Sequence, residues 1–116
     1  MNHSRTRSYV ENEVLAKSPE ELVLLAFDLG IKGCRRKDRA LVRDVLNELI
    51  AALDFSQPLA GNLLVLYDYA LRETRENRFE QPDKIFNSLR VAWKQALDQR
   101  RAGASPSAGD QLAAAA

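Results

Sequence analysis

Cys34 is the only cysteine of the sequence, and it stands directly before a basic run, residues 35–37 (Arg-Arg-Lys). Nearby positive charges lower the pKa of a thiol, so this setting is compatible with a reactive thiolate. Cys34 also ends an apolar stripe of Val23, Phe27 and Ile31 at the spacing of one helical face. Because buried cysteines are common and inert, the sequence favours a small core residue over a reactive thiol.

Other side chains that could do chemistry are few. His3 is the only histidine and belongs to a polar leader, residues 1–8, which we expect to be mobile. The carboxylate pairs have simpler explanations: helix capping for residues 20–21, and a solvated helix face for Asp44 and Glu48. The sequence shows no glycine-rich phosphate loop, no Cys/His metal spacing and no nucleophile elbow. We therefore expect no enzyme, no cofactor and no metal.

The composition predicts one domain, because 116 residues suffice for a single compact core but not for two. The net charge of +1 favours neither nucleic acid nor an anionic membrane as a partner. The N-terminal residues lack the apolar centre of a signal peptide, and no stretch approaches the ~20 apolar residues of a membrane span. A single cysteine excludes an intrachain disulfide and suits a reducing compartment. A cytosolic protein without membrane insertion is expected.

The elements that position these residues are predicted to be helices. Residues 18–21 (Ser-Pro-Glu-Glu) combine a serine N-cap, a proline at the first helical position and a capping box. The first helix should run from there to about Gly33, with Gly30 and Gly33 loosening its end. This start is the strongest local signal of the chain.

Three further helices are predicted. The second helix should run to about Asp54. Ser56 should cap the third helix, which should end near Arg78. Residues 81–83 (Gln-Pro-Asp) should begin the fourth helix. Short connections imply antiparallel neighbours, so the fold class is all-α, an antiparallel up-down-up-down four-helix bundle within residues 9–101. The low-complexity residues 102–116 have too little apolar bulk to order themselves and are predicted to be a disordered tail.

The third helix is apolar on two opposite sides. One face carries Leu63, Leu64, Tyr67 and Leu71, and the other carries Asn62, Val65, Leu66 and Tyr69. One face can enter the core, but the other then needs a second layer, either more of this chain or a partner. Tyr67 is predicted to be core and Tyr69 an interface residue, while Trp93, on the single stripe of the fourth helix, is predicted to be core. The surplus apolar surface indicates a binding protein.

Several motifs match a known family in their order along the chain. Residues 9–14 (Tyr-Val-Glu-Asn-Glu-Val), 18–23 (Ser-Pro-Glu-Glu-Leu-Val) and 27–28 (Phe-Asp) resemble the N-terminal signature of the flagellar export chaperone family FliS. Residues 53–54 (Leu-Asp), 62–63 (Asn-Leu), 66–69 (Leu-Tyr-Asp-Tyr) and 93–95 (Trp-Lys-Gln) follow in the family's order. The resemblance spans about residues 9–97.

The chain resembles a shortened variant of this family. The glycine that usually follows Phe27-Asp28 comes one place late, at Gly30. The stretches from residue 28 to residue 53 and from Tyr69 to Trp93 are shorter than usual by about a dozen residues and about half that, which removes about one or two turns per helix. Both shortened hairpin tips lie at one end of the predicted bundle.

The resemblance implies an antiparallel bundle that binds the disordered C-terminal segment of flagellin one to one, blocks premature polymerisation in the cytosol and helps deliver flagellin to the type III export machinery. It also implies that the N-terminal segment packs over part of the apolar surface. The proposed mode is capture of a helical segment in an apolar groove. The predicted partner-binding residues are Tyr9, Val10, Val14, Leu15, Leu22, Leu25, Leu29, Ile50, Val65, Leu66 and Tyr69.

Two alternatives stay open. The surplus apolar ridges could form a weak homodimer or serve a client other than flagellin. The basic residues of the hairpin tips could instead bind an acidic partner or nucleic acid; interleaved glutamates and the low net charge favour a solvated loop. These basic residues are Arg35, Arg36, Lys37, Arg39, Arg72, Arg75 and Arg78.

Overall fold

The computed structural model describes residues 17–101, residue 103 and residues 108–116, and this part of the chain contains helices and no strand. The helices are α1 (Pro19–Arg36), α2 (Arg39–Ala51), α3 (Ala60–Arg75), α4 (Glu80–Arg101) and α5 (Ala108–Ala115). The predicted all-α class is confirmed for the described residues. The predicted leader, residues 1–8, and residues 9–16 lie outside them.

α1 begins where the sequence predicts. The hydroxyl oxygen of Ser18 accepts a hydrogen bond of 3.2 Å from the backbone N–H of Glu21 and donates one of 3.1 Å to the Glu21 carboxylate. Pro19 occupies the first turn, where its missing N–H costs no helical hydrogen bond. The helix ends later than predicted, because Lys37 adopts a left-handed conformation (φ 54°) and its N–H bonds back to the carbonyl oxygen of Cys34.

Gly30 and Gly33 are buried packing positions inside α1, so the prediction that they loosen its end was wrong. A Cβ atom at Gly30 would lie 2.6 Å from the ring of Phe86 in α4, and one at Gly33 would lie 2.8 Å from Cγ2 of Val42 in α2. Both distances are shorter than an ordinary carbon–carbon contact. Glycine at these positions therefore lets α1 approach α4 and α2 closely.

The connection between α2 and α3 is longer than predicted. α2 ends at Ala51, before Asp54, and the Asp54 carboxylate accepts bonds from the backbone N–H (3.0 Å) and the hydroxyl (2.6 Å) of Ser56. The expected capping role of Ser56 was wrong, because its hydroxyl is bound to Asp54 within this turn. α3 starts further on, at Ala60, without a side-chain cap, and ends at Arg75.

Aromatic side chains from three helices meet in the core: Phe27 of α1, Tyr67 of α3, and Phe86 and Trp93 of α4. The Phe27 and Trp93 rings meet edge to face, with centroids 6.3 Å apart and an interplanar angle of 83°. The indole N–H of Trp93 donates a hydrogen bond of 2.8 Å to the carbonyl oxygen of Glu20. The core roles predicted for Tyr67 and Trp93 are confirmed. Around this core, α1 packs against α2 and α4, and α3 packs against the same two helices.

Part of the predicted disordered tail is ordered, because residues 108–115 form α5, which packs against α4. Leu112 and Ala115 are buried, and the carbonyl oxygen of Ala115 accepts a hydrogen bond of 3.0 Å from the N–H of Asp54. The prediction of disorder failed for this segment because it considered only apolar bulk. Alanine has the highest helix propensity, and tertiary burial of one leucine adds to the stability of a short helix.

Candidate partner-binding surface

Three apolar side chains of α3 are exposed to solvent. Val65, Leu66 and Tyr69 have 66%, 40% and 38% of their surface exposed, respectively. Leu63 and Tyr67, on the other side of the same helix, are buried in the core. The helical period places the three exposed residues on the side that faces away from the core. We call Val65, Leu66 and Tyr69 the α3 ridge.

An apolar groove adjoins the α3 ridge, between α3 and α4. It has a volume of about 230 Å³ and is lined by Leu66, Lys84, Ile85, Ser88 and Leu89. Leu66 belongs to both the ridge and the groove, so the two form one surface. Among the described lining residues Lys84 alone is charged, and it forms an ion pair of 3.3 Å with Glu80. We call this site the α3–α4 groove.

Of the predicted contact residues of α1 and α2, Leu22 lies on another surface. Leu22 lines a cleft of about 360 Å³ between α1 and α2, together with Pro19, Val23, Ala26, Glu48, Leu49, Ala52 and Ala116. Leu29 and Ile50 are half-buried and pack against the core, and Leu25 is half-buried. The predicted contact residues Tyr9, Val10, Val14 and Leu15 lie outside the described residues.

Leu22 and the predicted contact residues of α3 therefore lie on two different surfaces. The cleft that contains Leu22 and the α3–α4 groove share no lining residue. The sequence pattern grouped Leu22 with the contact residues of α3 because α1 and α3 both carry more apolar residues than one core face needs. Periodicity identifies the apolar face of one helix, but it does not show which neighbouring helix covers that face.

Sequence reasoning missed the α4 side of the groove. The apolar pattern assigns Ile85 and Leu89 to the core stripe of α4, but both are half-buried and line the groove. Ile85 and Leu89 are four residues apart and therefore share one face of α4, and Ile85 directly precedes the buried Phe86. The two residues thus lie at the edge of the apolar stripe and not at its centre. This position was the signal that could have identified the groove. For Ala116, which lines the α1–α2 cleft, the sequence carries no such signal.

Charged groups near the α3 ridge are paired with each other. The Tyr69 hydroxyl donates a bond of 3.4 Å to the Glu73 carboxylate, which also binds Arg78 at 2.7 Å. The bond and charge of Glu73 raise the pKa of the Arg78 guanidinium above its ordinary value. The Arg78 side chain is mostly exposed, and ion pairs at the protein surface contribute little free energy. A ligand of the ridge would therefore bind mainly by burial of apolar surface.

Cys34 is a core residue. Its side chain is buried, and burial, with a smaller contribution from the negative charge of Asp83, raises the pKa of the thiol to about 12. The thiol is therefore protonated at neutral pH, despite the cations at residues 35–37. The prediction that Cys34 is a core residue is confirmed.

Within residues 17–101, 103 and 108–116, no group of three or more His, Cys, Asp or Glu side chains is placed to hold a metal ion. In the same ranges, no helix has both the length and the apolar character needed to cross a membrane. His3 lies outside these ranges.

Comparisons of this chain with protein-family models, with curated proteins and with solved structures find no match. The resemblance to the flagellar export chaperones accordingly stays a prediction from the motifs of residues 9–97.

Proposed function

We propose that this protein is a cytosolic export chaperone that binds the disordered C-terminal segment of flagellin, prevents premature polymerisation and assists type III flagellar export. The observation that carries the proposal is the exposed α3 ridge beside the apolar α3–α4 groove. Contiguous exposed apolar surface is typical of protein interaction sites. The resemblance of the motifs within residues 9–97 to the flagellar export chaperones favours flagellin as the client and the export machinery as a further partner.

The fold proposed for this chaperone is an antiparallel up-down-up-down four-helix bundle with α5 packed against it. The contacts of α1 and of α3 with both α2 and α4 support this arrangement. The connection between α1 and α2, residues 37–38, is short, which favours antiparallel neighbours.

Capture of the client would follow the helix-in-groove mode. The client segment would fold into a helix and place apolar residues at i, i+3, i+4 and i+7 against the ridge and the groove. Fully burying a valine or leucine side chain contributes about 1.5–3 kcal/mol. The three ridge residues have between 38% and 66% of their surface still exposed and available for burial by a client. Burial of the ridge therefore contributes roughly 3 kcal/mol, which is similar to the ~2–5 kcal/mol cost of ordering the client. Net affinity must then come from the groove and from the client's own apolar residues.

A polymerisation assay tests the proposal. Flagellin monomers from the same organism, mixed with an equimolar amount of the chain, should elute as a one-to-one complex and should not assemble into filaments. The Leu66→Ser variant should lose this effect. The matched control is Val91→Ser, because Val91 is also exposed (55%) but does not line the α3–α4 groove.

Two results would reject the proposal. In the first, flagellin polymerises at its normal rate with the chain in excess, and the chain elutes alone. In the second, the chain itself doubles in mass as its concentration rises, and Leu66→Ser abolishes the doubling without any effect on flagellin. The α3 ridge would then be a homodimer interface.

A further inference from the structure

A separate cleft lies between α2 and α3, and its lining is cationic. It has a volume of about 270 Å³ and is lined by Arg39, Arg43, Asn47, Leu71, Thr74 and Arg75. We call this site the arginine cleft. Among these described lining residues, three are arginines and none is acidic. The site shares no lining residue with the α3–α4 groove, so it does not depend on the proposed chaperone function.

Helical spacing explains why the arginines meet there. Arg39, Arg43 and Asn47 are four residues apart on α2, which places them above one another on one helix face. Arg75 belongs to the last turn of α3. One guanidinium nitrogen (Nη1) of Arg39 donates a hydrogen bond of 3.5 Å to the backbone carbonyl oxygen of Arg75. This long bond links the start of α2 to the end of α3, at one end of the cleft.

The positive charge of the cleft is poorly compensated. Arg43 pairs with its sequence neighbour Asp44 at 3.2 Å, and both side chains are mostly exposed, so the pair is weak. No carboxylate of the described residues forms an ion pair with Arg39 or Arg75. Arg72, outside the cleft, is paired with an aspartate at 3.7 Å. Arg39 and Arg75 therefore bring positive charge to the arginine cleft that no carboxylate of the described residues neutralises in an ion pair.

We propose that the arginine cleft binds a small oxyanion that carries at least two negative charges. Guanidinium groups match the geometry of phosphate and carboxylate oxygens and can bind them with two parallel hydrogen bonds. The side-chain amide of Asn47 adds a further donor. The volume lies just below the 300–1,000 Å³ usual for drug-sized ligands, which favours a ligand smaller than those.

The test is calorimetric titration of the full chain with inorganic pyrophosphate and, separately, with citrate. A buffer of about 0.15 M sodium chloride screens non-specific attraction beyond about 8 Å. The cleft variant is Arg39→Gln with Arg75→Gln. The control is Arg35→Gln with Arg36→Gln, which makes the same change in charge at the exposed end of α1. Arg43→Gln provides a second cleft variant if the first does not fold.

We expect saturable one-to-one binding of at least one probe. The cleft variant should raise the dissociation constant by about tenfold or more, because charge-assisted hydrogen bonds are lost, and the control by less than about twofold. Binding of pyrophosphate alone identifies a phosphate ligand, and binding of citrate alone a carboxylate ligand. If neither probe saturates, or if the control loses as much affinity as the cleft variants, the proposal is wrong.

Discussion

Replacing Gly30 with alanine is expected to give a less stable protein than helix propensity alone predicts. Alanine is favoured over glycine inside a helix by about 0.8–1.0 kcal/mol. The new Cβ atom would, however, lie 2.6 Å from the ring of Phe86, which is fully buried. Since ordinary carbon–carbon contacts are about 3.5–4.0 Å, the ring or α1 would have to move by roughly 1 Å.

The expected magnitude follows from these two opposing contributions. Overpacking a well-packed core costs about 1–3 kcal/mol. Subtracting the propensity gain leaves a net loss of about 0–2 kcal/mol for Gly30→Ala. Gly61 in α3 is the matched control, because a Cβ atom there meets nothing within 4 Å. Gly61→Ala should stabilise the protein by up to about 1 kcal/mol, so the two variants should differ by about 1–3 kcal/mol.

Urea denaturation, followed by circular dichroism and by Trp93 fluorescence, measures both variants under the same conditions. Gly30→Ala should lower the free energy of unfolding by less in a protein that already carries Phe86→Leu, because the smaller side chain removes the clash. The reasoning is refuted if Gly30→Ala stabilises the protein as much as Gly61→Ala does. It is also refuted if the two changes at Gly30 and Phe86 are additive.

Four further outcomes are expected. Leu112→Ser should release α5, so that hydrogen exchange shows lost amide protection in residues 108–116 while α1–α4 stay protected; protection that persists in α5 would contradict its anchoring by Leu112. Burial raises the pKa of the Cys34 thiol to about 12, so a disulfide reagent should label it only after unfolding. Because the unfolded thiol ionises near its ordinary pKa, the free energy of unfolding should fall as pH rises from about 9 to about 12, and Cys34→Ala should reduce this slope. Tyr69→Ala should weaken binding of the flagellin segment by about 1–3 kcal/mol in calorimetry; an unchanged affinity removes Tyr69 from the site, and loss of the fold assigns it to the core.

Local signals and periodicity predicted much of the fold. The start of α1 depends only on residues 18–21, whose serine, proline and glutamates interact within one turn, so it could be predicted from adjacent residues. The core positions of Tyr67 and Trp93 followed from the 3.6-residue period of their helices. Both kinds of signal lie within a single helix.

Features that depend on two helices could not be predicted in this way. Gly30 resembles a helix-ending glycine in sequence, and only the ring of Phe86, far along the chain, shows that it permits close packing. Whether residues 108–115 form a helix depends on whether the other helices bury Leu112, which they do in this fold. The separation of Leu22 from Leu66 likewise depends on which helices are neighbours. Each of these is a long-range property of the chain.

Isothermal titration calorimetry of the purified chain with the C-terminal segment of flagellin from the same organism tests the central claim most directly. We predict one-to-one, sub-micromolar binding with a large negative heat-capacity change, the mark of buried apolar surface. Leu66→Ser should weaken this binding, and Val91→Ser should leave it unchanged. Absence of heat, together with absence of a complex on size-exclusion chromatography, would contradict the claim that this protein is a flagellin chaperone.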